Sequence, residues 1–144
     1  MIRKLAVAVL ALTLAGAAQA EGPDVILVRQ AGQDLLLGDF AGIRAVVMLK
    51  GDVKTLQKPA LAIAKWMKVF PSQFPPGSDK GDNTKALPAI WTDNAGFRKD
   101  ANNLVEAADK LAEVAKTGDA AEVAAQIKAM GEACDTCHHA FRAR

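Results

Sequence analysis

From Asp24 onward the chain carries four runs in which apolar residues return every three or four positions, the period of an amphipathic α-helix. The first begins after Pro23, with Asp24 as N-cap, and runs to about Leu49, ahead of Gly51. Ile26, Gln33, Phe40 and Val47 recur at seven-residue intervals within it, flanked by Leu36, Leu37 and Ile43. Gly38 and Gly42 on this run are candidates for points of close helix approach. The second run extends from about Leu56 to Phe70, with Ala60, Ile63, Met67 and Phe70 on one face. Pro59 blurs its start, since a proline belongs in a first turn, and Pro71 ends it. Pro75-Pro76-Gly77 then opens a polar loop through Lys85.

The third run starts with Pro88 in its first turn and continues to about Lys116, its seam formed by Phe97, Ala101, Leu104, Ala108, Leu111 and Ala115. Thr117-Gly118-Asp119 supplies a glycine stop and an aspartate cap for the fourth. There Ala120, Val123, Ile127, Met130, Cys134, Cys137 and Phe141 keep the same rhythm, which predicts that both cysteines lie on the buried seam. There is no internal repeat and no linker long enough to divide domains. The pattern predicts an all-α protein, an antiparallel four-helix bundle.

Upstream of these runs, Arg3 and Lys4 precede a mostly apolar stretch from Leu5 to Ala17, and Ala18-Gln19-Ala20 forms a small-x-small cleavage site. Residues 1–20 read as a secretory signal peptide, too short an apolar stretch for the ~20 residues of a membrane span. Residues 21–144 form one domain with a modest core and no membrane insertion. Arg3 and Lys4 account for the formal charge of +2, so the rest of the chain is charge-balanced. No basic patch with interleaved aromatics occurs, and nucleic acid is excluded as a partner.

The chemistry is concentrated in Cys134-Asp135-Thr136-Cys137-His138. Cys-x-x-Cys-His is the attachment signature of c-type haem, in which two thiols bond the porphyrin and the adjacent imidazole binds iron. Helical spacing of three and four puts Cys134, Cys137 and His138 on one face, against one ring edge. A thioredoxin-like redox pair requires a strand–helix setting that is missing here. A closed zinc site requires four ligands, yet the only further Cys or His is His139, turned about 100° from His138. A plain disulfide leaves His138 without a role. The expected cofactor is one haem c per chain, covalently attached and held in the bundle core.

A bundle with this motif on its last helix resembles the cytochrome c′ family, the class II c-type cytochromes. The likeness extends to Arg29-Gln30, Phe40, Val46-Val47, Phe74-Pro75-Pro76-Gly77, Pro88-Ala89-Ile90-Trp91, Thr117-Gly118-Asp119 and Cys134 through Arg142. It implies that His138 is the proximal iron ligand and that Cys134 and Cys137 are the thioether anchors. Arg29 and Gln30 would approach the haem propionates, and Arg142 would lie beside the proximal face. Without the resemblance, Arg29 and Arg142 read as ordinary solvated helix positions. The resemblance also implies periplasmic localisation, redox partner proteins, and pairing of two copies through the first two helices.

Family members divide by what faces the open side of the iron. An apolar residue four after the helix-one arginine leaves a five-coordinate iron that binds NO or CO, whereas methionine there gives a low-spin electron carrier. In this chain the position is Gln33, a departure from both. A buried amide requires a hydrogen-bond partner: a distal water, a bound gas, a propionate or a group on a neighbouring helix. Met130 shares the proximal helix and Met48 lies at the far end of the first. Met67 is therefore the remaining thioether for the sixth position, unless it serves as a flexible core filler. Two functions stand: electron transfer through Fe(II)/Fe(III) cycling, or gas binding at a vacant site. No acid–base pair or nucleophile accompanies the motif, so the protein is not expected to be an enzyme.

Overall fold

In the computed structural model, which describes residues 24–144, helix α1 spans Val25–Met48. The expected leader lies outside the described residues. The Asp24 carboxylate accepts hydrogen bonds from the Ile26 and Leu27 amides and so starts α1. At the other end Gly51 N–H donates to Val46 O at 2.8 Å and Lys50 N–H to Val47 O at 3.1 Å. These two bonds form a Schellman stop, with Lys50, not the glycine, in the left-handed region at φ 54°.

A 3-10 turn over Val53–Leu56 leads into α2, Gln57–Val69. Pro59 is the third residue of α2, where its missing N–H would have had no intrahelical acceptor. The third run divides into a single turn, α3 at Ala89–Thr92, and the long α4 at Asn94–Thr117. Asp93 makes the break. Its backbone leaves helical geometry at φ −121°, ψ 58°, and its carboxylate accepts from Gly96 N–H to begin a new helix. The continuous helix expected from Pro88 fails because this local cap outcompetes propagation. Gly118 closes α4 at φ 82°, and Asp119 caps α5, Ala120–Phe141.

These elements form an all-α four-helix bundle in which α4 is the central member, packed against both α2 and α5. Leu111, Ala108, Ala112 and Ala115 of α4 are fully buried, as are Ala60 of α2 and Val123 of α5. At the other end an aromatic cluster joins the 3-10 turn Phe70–Gln73 and the adjoining Phe74 to α4 and α5. Phe97 meets Phe74 at 5.0 Å, Phe141 at 5.3 Å and Phe70 at 6.0 Å between ring centroids.

Helix α1 packs on α2 but makes little contact with α5, and that parting opens a cavity between them. The close approach of α1 and α2 occurs at Gly32, where a Cβ would collide with the Trp66 ring. Gly38 and Gly42 are not approach points: both are exposed, and a Cβ on either meets nothing within 4 Å. Among the described residues no helix is long and apolar enough to cross a membrane.

Candidate functional site

The cavity between α1 and α5 has a volume of about 790 Å³, within the range of about 300–1,000 Å³ that accommodates cofactors and other small ligands. Cys134, Cys137 and His138 all line it from α5, as their helical spacing requires. The two cysteines, expected on the buried seam, pack against the core but are only partly buried. Both cysteines are half-buried and His138 is exposed, because the α5 face they occupy turns toward the cavity. Val123, Met130 and Phe141 are the α5 residues buried in the core.

Burial pushes the thiols of Cys134 and Cys137 up, that of Cys137 to about 11, with Asp100 on α4 adding to it. A redox-active pair requires the opposite shift, which lowers the thiol toward thiolate. No disulfide joins them. Partial burial and the Arg142 cation push the His138 imidazole below its ordinary value, while Asp135 opposes them. A largely neutral imidazole is the form that ligates metal. The fit to a porphyrin is good: two thiols and one imidazole share a wall, and Met67, Phe70, Phe97 and Leu104 give apolar surface to the rest of the cavity.

Helix α1 carries two adjacent stripes. Arg29, Leu36 and Ile43, seven residues apart, face the core and are buried. Gln33, Leu37, Phe40 and Arg44 face the cavity, which explains why Leu37 is 57% exposed despite its place in the apolar pattern. Met67 is buried at 4% exposure on the cavity wall contributed by α2. Met48 is 76% exposed at the end of α1, remote from this wall. Gln33 has no hydrogen-bond partner among the described residues, so its amide is uncommitted.

Arg29 and Gln30 also line the cavity, but their hydrogen bonds go elsewhere. Arg29 is 3% exposed, its guanidinium 4.4 Å above the Phe74 ring. Its Nη1 donates to Gln73 O and Ser78 Oγ; its Nη2 donates to Ser78 O and Thr84 Oγ1, both at 2.7 Å. Gln30 Nε2 donates to Asp82 O at 2.9 Å. Sequence reasoning left Arg29 between a propionate contact and a solvated position, and missed its role in the core. Its seven-residue spacing to Leu36 and Ile43 was the available signal. Arg44, Lys85 and Asp100, also on the cavity wall, carried no comparable signal.

A family model described as cytochrome c′ matches residues 24–142. The chain is 36% identical to the cytochrome c′ of Rubrivivax gelatinosus over 121 residues, which cover 83% of this chain and 94% of the relative. The crystal structure of that relative superposes with a TM-score of 0.73 over the same shares of the two chains. Identity to the cytochrome c′ of Rhodospirillum rubrum is 34% across 99% of both chains. A carbon monoxide-bound variant of the cytochrome c′ from Alcaligenes xylosoxidans is similar at 25% identity and a TM-score of 0.74, covering 84% of this chain and 95% of that one. A cytochrome c′ described by its ligand-controlled dimer dissociation is similar at 30% identity and a TM-score of 0.77, covering 83% of this chain and 95% of the other.

Proposed function

Since this chain belongs to the cytochrome c′ family, we propose that it is a periplasmic electron carrier with one covalently attached haem c. The observation that carries this reading is the convergence of Cys134, Cys137 and His138 on one wall of a cavity of about 790 Å³. The two cysteines tether the porphyrin edge, and His138 is the proximal iron ligand. When bound, the haem supplies one-electron Fe(II)/Fe(III) chemistry. The chain's own residues set how readily that happens. Met67, Phe70, Phe97 and Leu104 exclude water from the cavity, and Arg142 holds a positive charge beside His138. Both effects disfavour the more highly charged ferric state and raise the potential. Propionate contacts fall to Gln30, Arg44 and Lys85, with Arg29 contributing only its Nε–H, the donor it does not give to the loop.

Gas binding is the second reading, favoured by the uncommitted Gln33 amide on the cavity wall and by the carbon monoxide complex of the Alcaligenes relative. Optical spectra of the ferrous protein with and without CO separate the two. The carrier reading expects low-spin bands that CO leaves unchanged and that Met67→Leu converts to high spin. A high-spin spectrum shifted by CO in the wild-type protein would overturn it in favour of an open site.

We infer also that two copies pair through α1 and α2. Leu35 is 75% exposed and Leu27 62% exposed, beside an apolar groove lined by Ala31, Gly32, Ile63 and Trp66. The buried Trp66 indole N–H, which has no acceptor among the described residues, lies in the same place. Sedimentation velocity at micromolar concentration is expected to return twice the chain mass, and Leu35→Lys the mass of one chain. A wild-type monomer would refute the pairing.

A further inference from the structure

We propose that the segment from Gln73 to Leu87 is a strap that holds Arg142 beside His138, with Arg29 and Thr84 as its positioning residues. This inference rests on the haem-bearing reading of the site. One end of the strap is fixed to α1. Arg29 gives four hydrogen bonds to Gln73, Ser78 and Thr84, and stacks on Phe74; Gln30 adds a fifth through Asp82 O. The other end is fixed to the tail that follows His138. Leu87 N–H donates to Phe141 O at 3.0 Å, and Ala143 N–H donates to Lys85 O at 2.8 Å. This short antiparallel bridge brackets Arg142, which stands opposite Ala86.

Thr84 lies where the two halves meet. Its Oγ1 accepts from Arg29 Nη2 and also from Ala86 N–H at 3.3 Å, so one hydroxyl joins the buried cation to the bridge. The tail has few other restraints. The Arg142 amide bonds to His138 O as the last turn of α5, and no side-chain hydrogen bond or ion pair of Arg142 occurs among the described residues. The Arg142 charge, which acts on the His138 imidazole, is thus held from outside its own helix. A buried guanidinium stripped of one acceptor cannot recover it from solvent, so the strap loosens when Thr84 loses its hydroxyl.

Thr84→Val keeps the shape and removes the acceptor, and haem-loaded protein is the material to test. Three reduction potentials are compared: those of Thr84→Val, Arg142→Gln and the double variant. The strap predicts that each single change lowers the potential, and that the double variant falls no lower than Arg142→Gln alone. Hydrogen exchange at the Leu87 and Ala143 amides should speed up about tenfold or more in Thr84→Val. A Thr84→Val potential equal to wild type, or one that adds in full to Arg142→Gln, overturns the proposal, as does unchanged exchange at both amides. The exchange measurement reads the strap whether or not haem is present. Absence of haem from the purified chain would instead remove the functional reading.

Discussion

Replacing both cysteines, in Cys134→Ser/Cys137→Ser, is expected to abolish retention of haem through denaturation while the bundle still forms. The helices owe their existence to the α2–α4–α5 core, to which neither cysteine contributes a buried side chain. A non-covalent haem would escape once the walls part, and binding energy that stabilises only the folded chain would weaken with it. Haem staining after denaturing electrophoresis checks this. The wild-type band should stain and the double variant should not, and helical circular dichroism should persist in both. A stained band from the double variant would show that the porphyrin is held by something other than these thiols.

The second large effect is expected at Phe97→Ala. Phe97 is 1% exposed and contacts Phe70 and Phe74 from the segment after α2 and Phe141 from α5. Truncating such a ring costs about 3–5 kcal/mol, part of it from the void left behind. For a domain of this size that is a fall in melting temperature of about 10–20 °C. The site suffers too, because Phe97 and three of its ring neighbours line the cavity and keep water from it. Thermal denaturation followed by circular dichroism gives the first effect and a redox titration the second, with the potential displaced downward. A loss below about 1 kcal/mol would mean the aromatic cluster is not the floor of the site.

Much of the bundle is legible in the sequence, for an identifiable reason. Its helices are long, their apolar spacing is regular, and their ends carry strong local signals in Asp24, Gly118 and Asp119. The break at Asp93 was not legible, because an aspartate near a helix start reads the same whether it caps a new helix or sits in the first turn of an existing one. Lys50 replaces the expected glycine in the left-handed position, a substitution that periodicity cannot reveal.

The candidate site divided along the same line. Cys134, Cys137 and His138 were visible because their spacing is itself the chemistry. Their exposure was misjudged, because a residue facing a cofactor cavity and a residue facing a protein core share one hydrophobic pattern. Arg29 shows the converse: a charged side chain on the core stripe reads as solvated until the loop that satisfies it has been located, more than forty residues away. Such pairings across the chain leave no trace in local sequence.

The porphyrin's bonds to Cys134 and Cys137 are tested most directly by intact-mass analysis with thiol titration. The material is wild-type protein matured in a cell able to attach haem c. The predicted result is a chain beginning at Glu21 that carries the mass of one haem and no thiol reactive in denaturant. A chain of unmodified mass with both of its two thiols free would contradict it.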